Sequence, residues 1–293
     1  MPPRKARSNG DFAAAFGRIQ STIEQVIQGK AEQIRLALVC MLAEGHLLIE
    51  DVPGVGKTLL AKSIARTIGC SWGRIQFTPD LLPTDITGVN VFDQQRRDFE
   101  FRPGAVFANI VLGDEVNRAS PKTQSALLEA MEERQVTVDA VTHKLPDPFM
   151  VMATQNPVEH EGTYPLPVAQ LDRFMMRLSI GYPNAQAELE MMHRHGQHSA
   201  LEEIEAVANA RTLLAMIEAT RQVHVAETLN SYIIELISST RESPELTLGA
   251  SPRASLALLR AARAYAASEG RDYVIPDDVI DDLLGSVAVP IRG

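Results

Sequence analysis

The segment Asp51-Val52-Pro53-Gly54-Val55-Gly56-Lys57-Thr58-Leu59 carries the residue types that bind phosphate. Gly54 and Gly56 let backbone N–H groups approach anionic oxygens closely, and a helix opening at Lys57 turns its positive dipole end toward them. Lys57 is placed to reach β/γ-phosphates and Thr58 to ligate Mg²⁺. The first glycine of the common GxxxxGK[ST] pattern is replaced by Asp51. An ordinary strand-to-helix turn would need neither Lys57 nor Thr58 after two glycines.

Such a loop only binds; hydrolysis also needs a carboxylate for the metal and a group that activates water. Asp114 and Glu115 end the apolar run Asn109-Ile110-Val111-Leu112-Gly113. Asp114 suits the hydration shell of Mg²⁺, and Glu115 suits water polarised toward the γ-phosphorus. Two acids after an apolar run often only mark a strand end, but with the loop upstream they read as a hydrolytic pair. Asn156 closes a second apolar run and is placed to orient water or touch the γ-phosphate, the bland alternative being an Asn-Pro turn. Arg173, in Gln170-Leu171-Asp172-Arg173-Phe174, and Arg253, after Ser251-Pro252, are the arginines that stand out for stabilising transition-state charge.

These groups need a frame, and the hydrophobic periodicity supplies one. From Phe12 to Met41 apolar residues recur at helical spacing, broken at Gln28-Gly29-Lys30, which predicts two helices ahead of a first strand at Leu47-Leu48-Ile49. Past the loop, Leu60, Ile64 and Ile68 share one helical face, and Gly69 stops the helix. Gly73 to Thr78 predicts a second strand, the run before Asp114 a third, and Phe149 to Thr154 a fourth that is apolar on both faces, as in a covered parallel sheet. Period-two patterns predict two hairpins, one joining Val89 and Val91 to Phe99 and Phe101 around a polar tip at Asp93 to Asp98, the other joining Val136 and Val138 to the segment from Val141 to Leu145. Between them Ser120 and Pro121 start a helix reaching about Arg134. After Asn184 helices are expected over Ala185 to His195, Leu201 to Ala219, Val225 to Thr240, Pro252 to Ser268 and Pro276 to Leu284. The organisation expected is a tail over 1–10, disordered, an α/β core over 11–183 with two hairpin insertions, and an all-α lid over 184–293.

A net charge of −9 opposes general nucleic-acid binding, which relies on Lys and Arg against phosphates. The longest unbroken apolar run, Leu36 to Ala43, is too short to span a bilayer. Cys40 and Cys70 make no disulfide framework and no secretory leader precedes them, so a reducing cytoplasm is expected.

Residues 49–58, 111–128, 150–157, 161–174 and 251–253 together resemble the MoxR family of AAA+ ATPases. The likeness runs from about Gln20 to Leu284. It implies a doubly wound parallel-sheet P-loop core with a small C-terminal all-α lid, and it makes the two hairpins the helix-2 insert and the hairpin before sensor 1. It also implies that Asn156 is sensor 1, that Arg253 is sensor 2 on the lid, and that Arg173 is a finger contributed to a neighbour's ATP in a ring, a hexamer. Gln28 and Gly29 are similar to residues lining an adenine pocket, although a helix break alone explains them. Asp51 is similar to many MoxR-type loops, whereas Val168 departs from the glutamate often found there. The partner implied is a separate protein, chaperone-like remodelling being typical, often of a chain with a von Willebrand factor A domain; its Asp-x-Ser-x-Ser motif is absent here.

Two rivals remain at this level. A nucleic-acid motor could use Arg96 and Arg97 at the first hairpin tip, although Asp93 and Asp98 flank them; a nucleotide-gated scaffold would bind ATP and barely turn over, against the intact Asp114 and Glu115. His193, His195 and His198 read as solvated or capping residues, Trp72 as core or interface, and Met150, Met152, Met175 and Met176 as strand-face core.

Overall fold

A computed structural model of the chain describes residues 9–156, 163–183, 185–194, 200–246 and 248–280. Residues 1–8 of the tail expected over 1–10, the end of the last helix, His195 and His198 lie outside them, while Asn9 and Gly10 open a helix instead.

Helices α1 (Asn9–Glu24) and α2 (Ala31–Leu42) flank the break at Gln28-Gly29-Lys30, where Gly29 takes a φ of 70°. Five parallel strands follow in the spatial order β2 (Trp72–Gln76), β5 (Ile110–Asp114), β8 (Met150–Gln155), β1 (Leu47–Glu50), β9 (Met176–Leu178). Four are those expected. The fifth, β9, is three residues long, too short for a period-two signature, and Met175 and Met176 betray only its apolar face. Alternation along the strands splits their side chains between two cores: Leu47, Ile49, Ile110, Leu112, Met150 and Met152 face one, and Leu48, Val111, Val151 and Ala153 the other. Helix α3 (Lys57–Thr67) buries Leu60 and Ile64 in the first, and α5 (Pro121–Glu133) buries Leu127, Leu128 and Met131 in the second.

The short helix α4 (Pro83–Thr87) precedes the first hairpin, β3 (Gly88–Asp93) with β4 (Asp98–Pro103), and the second pairs β6 (Gln135–Val138) with β7 (Val141–Lys144). The hairpins are joined: Phe101 stacks on His143 at 3.7 Å between ring centroids, and Asn90 Nδ2 donates to Asp139 Oδ2 at 2.8 Å. At the first tip Arg96 lies 3.9 Å from Asp93, so acid accompanies base there.

After α6 (Val168–Leu171), the helices α7 (Ala185–Arg194), α8 (Ala200–Glu203), α9 (Ala210–Arg221), α10 (Glu227–Glu242), α11 (Pro252–Ser268) and α12 (Asp277–Ile280) complete the described chain. The single helix expected over Leu201 to Ala219 is two. Val207 N donates to Thr67 O at 2.9 Å, and Arg66 donates to the carbonyls of Glu202 and Ile204, which ties an extended link onto the end of α3. Asn209 then caps a new helix by accepting from Thr212 N at 2.9 Å. The alanine face of α11, including Ala257 and Ala261, permits close packing on α2 and α9. Lid residues such as Leu258 and Ala261 thereby share the first core with α1 and α2. No helix among the described residues is long and apolar enough to cross a membrane.

Candidate functional site

Strand β1 delivers the chain into the Asp51–Gly56 turn, and α3 begins at Lys57. Gly54 and Gly56 have φ of 86° and 95°, the left-handed region that side chains disfavour, and a Cβ at either position would meet nothing within 4 Å. The glycines are therefore needed for backbone conformation, and the space above them is open. Lys57 Nζ donates to the Asp51 carbonyl at 2.8 Å, folding the lysine over the loop. Val55 and Leu59 pack on the first core, which anchors the turn from beneath.

Asp51 has a role of its own. Its carboxylate is buried, 7% exposed, and accepts from Val52 N at 3.0 Å, Gly181 N at 2.7 Å and Ser179 Oγ at 3.2 Å. A glycine there would leave the loop unattached to the segment that follows β9. The same segment receives Lys30, whose Nζ donates to Tyr182 O at 2.9 Å. Through this segment the break at Gln28-Gly29-Lys30 and the phosphate loop share a neighbour.

The acids sit at the adjacent strand ends. Asp114 ends β5; Asn156, 6% exposed, follows β8; and the loop follows β1, with β8 between the other two. At ~4.8 Å per strand the acids and the loop are roughly 10 Å apart, room for a triphosphate between them. Asp114 is held at both oxygens, by Thr154 Oγ1 at 2.7 Å and by Arg74 at 2.5 Å. Glu115 adopts φ of 58°, and its N–H donates to the same Thr154 hydroxyl at 2.9 Å. Its carboxylate accepts from Gln76 Nε2 at 3.0 Å and from Arg118 at 3.1 Å. A buried threonine therefore fixes both acids, while Gln76 and Arg118 hold the water-activating candidate in place.

No group of three or more His, Cys, Asp or Glu side chains among the described residues could hold a metal. A cation here would rest on one or two protein donors, with water and phosphate oxygens for the rest, which is the mode Mg²⁺ favours. Thr58 and Asp114 fit that requirement.

Arg173 and Arg253 meet elsewhere. Both pair with Glu132 at the end of α5, Arg173 at 3.1 Å and Arg253 more closely. They line a cleft of about 580 Å³ together with Glu44, His46 and Met175. Met175 N donates to His46 O at 2.9 Å, so the cleft lies where β1 and β9 begin. The phosphate loop lies where β1 ends, roughly 16 Å along the strand at ~3.3 Å per residue. Arg253 accordingly shares an edge with Arg173 rather than with its own loop.

Residues 46–176 match the ATPase family associated with various cellular activities (AAA), and residues 238–281 match the AAA lid domain. The chain is 44% identical over 289 residues to Chaperone MoxR1 of Mycobacterium tuberculosis, covering 96% of this chain and 76% of that one. It is 31% identical to Protein MoxR of Paracoccus denitrificans over 92% of this chain and 86% of that one. The chain belongs to the MoxR family of AAA+ ATPases. Uncharacterized protein YeaC of Bacillus subtilis is 50% identical over 92% of this chain and 84% of its own length. A crystal structure of a protein from Cytophaga hutchinsonii superposes with a TM-score of 0.87 at 39% identity, covering 96% of this chain and 89% of that one.

Several residues of this MoxR-type site escape sequence reasoning. Thr154 reads only as the polar end of an apolar run, and Arg74, Gln76 and Arg118 as surface residues. Glu132 sits in an ordinary acidic helix turn. Arg118 acquires its role from Glu115, three residues before it, and the others from a neighbour on another strand or helix.

Proposed function

We propose that this chain hydrolyses ATP with Mg²⁺ as one subunit of a ring, a hexamer, and uses the turnover to remodel or activate a partner protein in the cytoplasm. The observation that carries the hydrolytic part is the Thr154 hydroxyl, which holds Asp114 and Glu115 together two strands from the phosphate loop. The loop residues 51–59 bind the phosphates, with Lys57 exchanging its Asp51 carbonyl for the β/γ-oxygens, and Gln28 and Gly29 line the adenine side. Thr58 and Asp114 would hold Mg²⁺, which supplies charge neutralisation at the β- and γ-oxygens when bound. Glu115 takes the proton from attacking water, and Asn156 orients that water or the γ-phosphate.

The ring part rests on Arg173 and Arg253 lying at the strand-start edge, away from their own loop. A cation there is dispensable to its own nucleotide and available to a second copy's. In this reading both arginines cross the subunit interface. The lid of 184–293 and the joined hairpins of the 11–183 core move with the nucleotide state, and the exposed Phe92 and Phe99 of the first hairpin meet the partner. That partner is a separate protein, one carrying a von Willebrand factor A domain.

Subunit mixing tests the proposal. Arg173→Ala should bind ATP yet turn it over about 10³-fold slower or worse, the scale of such fingers elsewhere. Lys57→Ala should lack nucleotide. Mixed and allowed to exchange, the two create interfaces with an intact loop and an intact Arg173, so activity should exceed the sum of the parts. No increase despite verified exchange would place Arg173 in its own subunit's structure and remove the ring.

A further inference from the structure

The cleft at the strand-start edge holds more positive charge than Arg173 and Arg253 account for. Its wall includes Arg134, Arg260 and Arg263 as well, against three carboxylates, Glu44, Glu132 and Asp172. Those carboxylates are engaged. Glu44 takes Arg134 at 3.2 Å and Arg221 more closely, Glu132 takes Arg173 and Arg253, and Asp172 accepts from Ser251 Oγ at 2.6 Å. Among the described residues neither Arg260 nor Arg263 has an ion pair with a carboxylate, and the buried Nε of Arg263 makes no hydrogen bond.

This is an unusual concentration in a chain of net charge −9. Clustered guanidinium groups repel one another and resist desolvation, so the arrangement favours an incoming anion. Arg260 shows the strain most: burial pulls its pKa below the ordinary arginine value, Glu44 pulls it back, and Arg134 adds to the depression. It is nonetheless exposed to solvent while lining the cleft. Along α11 it lies seven residues after Arg253, two turns on, so the two side chains share a helix face. Guanidinium forks at that spacing suit an extended polyanion with several oxygen pairs, which a triphosphate is.

We propose that Arg260, backed by Arg263, is a third cationic group presented to the triphosphate of nucleotide bound on a second copy of this chain, beside Arg173 and Arg253. The proposal rests on the ring reading above. Arg260 contacts the phosphates through its guanidinium, and Arg263 contributes charge from behind. Glu132 and Glu44 keep the remaining arginines apart from each other until the anion arrives.

Arg260→Gln should bind a fluorescent ATP analogue within about twofold of wild type, because its own loop is intact, and should hydrolyse ATP 10- to 100-fold more slowly, a smaller loss than that of a principal finger. Mixed with Lys57→Ala under subunit exchange, it should regain activity above the sum of the two, since Lys57→Ala carries an intact Arg260. Arg260→Lys keeps the charge and loses the fork, and it should fall between wild type and Gln; it also carries the mixing test should Gln fail to fold. If the Arg173→Ala and Lys57→Ala mixture gains activity while both Arg260 mixtures stay at the sum, Arg260 serves only its own subunit and the proposal fails with the ring intact. If no mixture gains activity, the ring reading fails and the proposal with it.

Discussion

Thr154 offers the sharpest test of how the hydrolytic pair is built. Its side chain is fully buried, donates to Asp114 Oδ1 at 2.7 Å and accepts from Glu115 N at 2.9 Å. Thr154→Val keeps the shape and removes only the hydroxyl. Losing a hydrogen bond to a carboxylate and leaving a partly buried N–H unpaired should cost about 2–4 kcal/mol of stability. Glu115 is also held at φ of 58°, a conformation that costs a non-glycine residue roughly 1–2 kcal/mol, and the lost bond is one that pins it there. If about 1.5–3 kcal/mol of that restraint bears on the transition state, turnover falls about 10- to 100-fold. Urea unfolding, nucleotide affinity and steady-state ATP turnover would be measured on wild type, Thr154→Val and Thr154→Ser. Serine should keep most of the turnover, because it retains the hydroxyl and loses only the stiffness of the β-branch. Glu115→Gln sets the scale at a loss of at least about 100-fold with binding retained. A valine variant as active and as stable as wild type would show that the hydroxyl does not organise the two acids.

Asp51→Ala and Asp51→Gly should each lose about 2–3 kcal/mol in urea unfolding and bind nucleotide less tightly, since both remove the links to Gly181 and Ser179; a glycine variant indistinguishable from wild type would mean the loop needs no such anchor. His46 is held neutral by burial, its pKa pulled down to about 4, with Arg134 and Arg260 opposing protonation and its bond to the Met131 carbonyl favouring it. The unfolded state then binds more protons between about pH 4 and 6.5, so His46's contribution is complete above pH 6.5 and falls by about 3 kcal/mol as pH drops through 4. Unfolding midpoints at pH 7 and pH 5 for wild type and His46→Gln should show a steeper acid loss in wild type, and equal slopes would remove His46 from that role.

What local order could dictate was legible in the chain. The strand, glycine-bearing loop and helix at 47–67, the cap at Ser120, the helix start at Pro252, and both hairpins follow from short-range periodicity and capping chemistry, which act within a few residues. The tertiary structure decided the rest. Strand order brings Thr154 between Asp114 and Glu115 from forty residues away in sequence, and no pattern along either strand encodes that order. The helix expected over Leu201 to Ala219 breaks because Thr67 and Arg66 capture its middle, a long-range gain that outweighs helical propensity. Arg173 and Arg253, eighty positions apart, converge on Glu132 because α11 packs along α2 toward the start of β1. Residue type and spacing determined which groups could do phosphate chemistry; packing of the strands and of α11 determined which of them face a chain's own nucleotide and which face outward.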